Sequence, residues 1–106
     1  MQFSYFLRPF RPTFPDDMTD AEAVTVDRHL DYLDGLRLAG KVLMAGRCLD
    51  VPFGIVILSV EAEAEAATIA AQDPAVKEGI MTADLHPFRV ALWSVGESDG
   101  RGFPGA

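Results

Sequence analysis

The sequence contains a single cysteine, which excludes an internal disulfide and any zinc site built from several thiolates and suits a reducing cytosol. Basic residues are scarce as well: nine Lys and Arg stand against sixteen Asp and Glu, for a formal net charge of −7. A field of that sign repels phosphate backbones and anionic lipid, so neither nucleic acid nor a membrane surface is an expected partner. No apolar run approaches the roughly 20 residues of a membrane span, and no basic region precedes an apolar stretch near the N-terminus. Neither a transmembrane helix nor a signal peptide is expected. The two histidines, His29 and His86, lack the close spacing of a metal site. Gly35, Gly40, Gly46 and Gly54 are spaced as turn and strand glycines, not as a phosphate loop or a dinucleotide fingerprint. No metal and no cofactor are expected. What is present is the balance of an ordinary globule, 49% hydrophobic and 24% charged over 106 residues, which fits one compact cytoplasmic domain with one core.

Residues 2–8 are rich in aromatics and bounded by Pro9, so they read as a first strand. Pro9, Pro12 and Pro15 stiffen the loop that follows. Thr19 with Glu22 matches a capping box, which predicts a helix from near Asp20 to Gly40. Val42-Leu43-Met44-Ala45 and the run from Phe53 to Val60 are short and rich in β-branched residues, and they read as a hairpin. Glu61 to Gln72 holds seven alanine or isoleucine residues behind three glutamates, a second helix with acid near its positive end, closed by Asp73-Pro74. Phe88 to Trp93 reads as the last strand, with an extension back toward Met81 left open. Residues 94–106 carry four glycines and one proline and read as a flexible tail, which leaves 1–93 as the domain.

The order β-α-β-β-α-β is the ferredoxin-like α+β arrangement, with both helices on one face of a four-stranded antiparallel sheet. In the third strand Phe53, Ile55 and Ile57 point one way while Val56, Leu58 and Val60 point the other, so both faces of the sheet are expected to be covered. Two helices cover only one. The expectation is a homodimer in which the second faces of two copies pack together as an α/β barrel.

On the first helix, Asp27, Asp31 and Asp34 form a solvated stripe, while Val26, Leu30 and Leu33 are expected to face the sheet. His29 lies roughly 200° from Asp27, on the apolar side. With antiparallel helices, the ten residues back from Ala39 to His29 match a similar count forward from Glu61 to Asp73, so His29 and Asp73 can meet. A carboxylate at one imidazole nitrogen fixes the tautomer and leaves the other nitrogen free to take a proton from a bound small molecule. The alternatives stay open: His29 as a satisfied core histidine, and Asp73 as a helix terminator. The same topology sets Arg8 and Arg47 near the pair as candidate substrate contacts, with Arg11 a weaker one. Cys48 reads as a small core residue in a strand, and His86 as an extended, partly exposed residue before Pro87.

Four blocks carry a resemblance: His29-Leu30-Asp31-Tyr32-Leu33, Leu43-Met44-Ala45-Gly46-Arg47, Ala71-Gln72-Asp73-Pro74-Ala75-Val76 with Gly79, and His86-Pro87-Phe88-Arg89-Val90. In this order, across about residues 2–93, the chain resembles the YciI-like, or YCII-related, family. The resemblance implies a dimeric α+β barrel and a His and Asp active-site pair, which map onto His29 and Asp73. One relative in the family eliminates chloride from a chlorinated quinone-type intermediate in aromatic degradation. Where better-studied members usually have glycine-proline after the second strand, this chain has Gly46-Arg47, and a different ligand shape is expected. Together these features predict a small cofactor-independent enzyme of lyase or isomerase type. The alternative is a non-catalytic homodimeric module for small-ligand binding or assembly.

Overall fold

The computed structural model describes residues 1–94, so the glycine-rich tail lies almost wholly outside the described residues. The elements are β1 (Gln2–Pro9), α1 (Asp20–Leu38), β2 (Val42–Arg47), β3 (Gly54–Ser59), α2 (Glu63–Gln72), α3 (Pro74–Lys77) and β4 (Met81–Phe88). The strands form one antiparallel sheet in the order β2-β3-β1-β4, the ferredoxin-like arrangement read from the sequence.

Alternation along β1 and β3 decides where the core lies. Phe3, Tyr5 and Leu7 of β1, with Val56, Leu58 and Val60 in and after β3, are buried together against Leu33 of α1 and Ala66, Ile69 and Ala70 of α2. Full burial of a side chain such as Leu58 contributes roughly 1.5–3 kcal/mol. The opposite face carries Ser4, Phe6 and Arg8 of β1 and Ile55 and Ile57 of β3. On that face the Phe6 ring lies 5.4 Å from Phe53 and 5.5 Å from His86, centroid to centroid.

The start and end of α1 follow the local chemistry. The Thr19 hydroxyl accepts from the Glu22 N–H at 3.1 Å, and the Glu22 carboxylate accepts from the Thr19 N–H at 2.9 Å. At the other end Lys41 N–H reaches back to the Leu36 carbonyl at 2.8 Å and Gly40 N–H to Arg37 at 3.0 Å, a Schellman motif with Gly40 at φ +79°. The pattern recurs after α3, where Ile80 bonds to Ala75 and Gly79 to Val76, with Gly79 at φ +78°. That turn is what redirects the chain from α3 into β4.

Several expectations are corrected. The last strand is Met81–Phe88, not Phe88–Trp93, because every residue of β4 pairs with β1 and the pairing runs out where β1 begins: Gln2 lies opposite Phe88. Beyond it, Val90 N–H donates to the Gln2 side chain at 3.3 Å. Pro87 is tolerated because β4 is an edge strand. On α1 the buried residues are Thr25, His29 and Leu33, a stripe of spacing four, whereas Leu30 is 56% exposed. The second helix starts at Glu63, two residues later than expected, with no side-chain cap at Ala62.

Two alanine substitutions, one within α1 and one just past its end, should have opposite signs. Gly40→Ala places a side chain at positive φ with open space around it, so the cost is purely conformational, about 1–2 kcal/mol of stability. Gly35→Ala in the helix interior meets nothing within 4 Å and should stabilise by about 0.5–1 kcal/mol. Urea denaturation of both variants measures the difference.

Candidate active site

The chain breaks at Asp73, where φ −56° and ψ 123° end α2 and Pro74 opens α3. Helix termination and side-chain chemistry therefore share one residue. The Asp73 carboxylate is fully buried. Its Oδ1 accepts from the Ala75 N–H at 3.0 Å, capping α3, and lies 2.6 Å from His29 Nδ1. Its Oδ2 accepts from the Tyr5 hydroxyl at 2.8 Å. A carboxylate only accepts, so it assigns the proton to Nδ1 of His29 and leaves Nε2 as the acceptor nitrogen. Nε2 has no hydrogen-bond partner among the described residues.

Tyr5 was missed by the sequence reading, although a signal existed. A tyrosine at an inward position of β1 needs a partner for its hydroxyl, and Asp73 is that partner. Burial first, and then the negative charge of Asp73, push the Tyr5 hydroxyl far above its ordinary titration range, so it stays a donor. Burial and Asp73 also raise Tyr32, whose hydroxyl donates to the Ile69 carbonyl at 2.8 Å and ties α1 to α2.

His29 lines a cavity of about 610 Å³. Its floor comes from Leu7, Gly54 and Val56 of the sheet, one wall from Val26, Leu30 and Leu33 of α1, and its roof from Pro12, Phe14, Pro15, Asp16 and Met18 before α1 and the β2–β3 connection at 48–53, with Arg47 at the end of β2. Gly54 keeps the floor low, since a Cβ there would meet that of Leu7 at 3.3 Å. The lining is mostly apolar, with Asp16, Asp50 and Arg47 as its fully charged members. Leu30, absent from the core, finds its role here.

Arg47 thus shares a cavity with His29, and Arg8 does not. Strand alternation sends the Arg8 side chain to the other face of the sheet, where it pairs with Asp84 and lies 5.0 Å over the Phe53 ring. Cys48 falls just past β2, half-buried and facing the cavity rather than within the strand. His86 is exposed and near the end of β4. Arg11 has a positional role: its guanidinium grips both Glu22 oxygens at 2.9 and 2.7 Å and Asp17 at 2.9 Å, fastening the roof to the start of α1. That contact, then the Thr19 N–H, pushes the Glu22 carboxyl down to about 2. Among the described residues no group of three or more His, Cys, Asp and Glu is placed to hold a metal ion, and no helix is long and apolar enough to cross a membrane.

A ferredoxin-like sheet with a cavity lined by an imidazole that a buried carboxylate holds defines the general class. The chain belongs to the family of the YCII-related domain, whose model matches residues 6–88. It is also similar in structure to 5-chloro-2-hydroxyhydroquinone dehydrochlorinase from Burkholderia phenoliruptrix AC1100, solved in complex with 2,5-dihydroxybenzoquinone. That likeness has a TM-score of 0.66 at 18% sequence identity, covering 83% of this chain and 93% of that one. No curated protein matches the sequence.

Removing the Tyr5 hydroxyl strands one oxygen of a buried carboxylate, so Tyr5→Phe should cost about 1–3 kcal/mol in chemical denaturation. Glu22 titrates lower in the folded chain than its ordinary 4.5, so its contribution to stability is complete above that pH and is lost as pH falls toward about 2. The stability gap between wild type and Glu22→Gln should therefore narrow across this window in acid titrations followed by circular dichroism.

Proposed function

We propose that this chain is a small-molecule enzyme of the lyase or isomerase kind, working as a homodimer without a cofactor, in which His29 is the general base. The observation that carries the reading is the His29 imidazole, held through Nδ1 by a fully buried carboxylate, with no partner for its other nitrogen among the described residues, in a residue that lines a cavity of small-molecule size. In an elimination, Nε2 takes a proton from an acidified carbon, the electron pair forms the new double bond, and the leaving group departs as an anion. Asp73 stabilises the imidazolium so formed, and Tyr5 and the Ala75 N–H hold Asp73 in place. The dehydrochlorinase likeness supports this type of reaction. Support for the dimer comes from the second face of the sheet, where Phe6 lies against Phe53 and His86 and takes no part in the helix-covered core.

One observation favours a second reading, a non-catalytic ligand-binding module: Asp73 also caps α3, so its burial has a structural use. Chloride release from 5-chloro-2-hydroxyhydroquinone under anaerobic conditions separates the two. Wild type should release chloride and folded His29→Ala should lose at least about 100-fold in rate, the usual scale of a positioned base. No release by wild type, or an unchanged rate in His29→Ala, overturns the catalytic reading.

A further inference from the structure

We infer that the cavity beside His29 prefers, among molecules of one size, an organic monoanion over a neutral molecule or a dianion, and that Arg47 binds the anionic group, whether a carboxylate or the ionised hydroxyl of an acidic phenol such as the chlorinated hydroquinone. The inference rests on the proposed function, because it names the kind of substrate the same cavity takes. Its first support is an imbalance of charge pairing. Arg8, Arg11, Arg28, Arg37 and Lys41 each sit in an ion pair. Arg47 has no ion pair or hydrogen bond among the described residues, although the chain carries an excess of seven negative charges. Among the described residues Arg89 is the other unpaired arginine, and it lies outside the cavity lining. A guanidinium at an apolar hollow, left without one of the many available carboxylates, is matched in charge by a ligand anion, which as a carboxylate it can grip through two parallel N–H donors.

The remaining lining sets the other two properties. Leu7, Phe14, Leu33, Val56 and Met81 fit a hydrocarbon body and keep water away from it. Arg47 is the sole Lys or Arg among the described lining residues, beside Asp16 and Asp50, so one guanidinium balances one negative charge and no second cation offsets another. A phosphate monoester is thereby disfavoured and a monoanion preferred. A substrate held by its anionic group at the end of β2 extends its body toward α1, where His29 waits for a proton from carbon.

The test is a two-dimensional NMR titration of the full chain with three probes of similar size: phenylacetate, the neutral phenylacetamide and the dianionic phenyl phosphate. Phenylacetate should shift cavity resonances and bind about tenfold or more tightly than either other probe, the scale of one charge-assisted contact. Arg47→Gln should erase that preference, Arg47→Lys should restore part of it, and Arg89→Gln, at the unpaired arginine outside the lining, should keep it. Equal binding of the three probes, binding of none, or a preference that survives in Arg47→Gln overturns the inference. Chloride release reports separately on the proposed reaction: its absence with the phenylacetate preference intact removes the reaction alone, and lost preference with release intact removes the anion assignment alone.

Discussion

Asp73 holds the structure together at one buried point, because a carboxylate with no exposure to water must be surrounded by donors or become costly. Three elements supply them: β1 through the Tyr5 hydroxyl, α1 through His29, and α3 through the Ala75 N–H. The sheet, the first helix and the chain reversal after α2 are thus oriented by a single side chain. Any displacement of one against the others strands a charge in the core, which is a steeper restraint than apolar packing offers. The same restraint fixes the imidazole in one tautomer, so fold stability and site geometry draw on the same bonds.

Around that point the pieces are ordinary. Alternation on β1 and β3 separates a helix-covered core from a second apolar face, Schellman turns at Gly40 and Gly79 set where α1 and α3 stop, and the capping box at Thr19 sets where α1 begins. Each is local. What they accomplish together is to place His29, at the midpoint of a 19-residue helix, opposite a residue 44 positions away.

Much of this was legible in the residues. The capping box, the helix end before Gly40 and the hairpin rest on local chemistry that sequence records directly, and the closeness of His29 and Asp73 follows from counting along two helices of equal rise. The misreadings have a common origin in tertiary pairing. Arg8 was expected at the site because its strand ends there, but strand alternation turned its side chain to the opposite face. The last strand was set too far along the chain because Val90 to Trp93 look more strand-like than Thr82 to Pro87, whereas the length of β1 decides which residues pair. Tyr5 escaped notice because an inward aromatic on a strand looks like core until its hydroxyl needs a partner.

The roof of the cavity differs in kind from its floor. The floor belongs to the sheet and cannot change without disturbing register, but the roof consists of two connections, 12–18 and 48–53, and neither contributes to the bonds around Asp73. Substitution and length variation in those connections can recut the chamber while the proton-handling pair stays untouched. Divergence of ligand preference among proteins built on this plan is therefore inexpensive in stability, and it belongs to the loops.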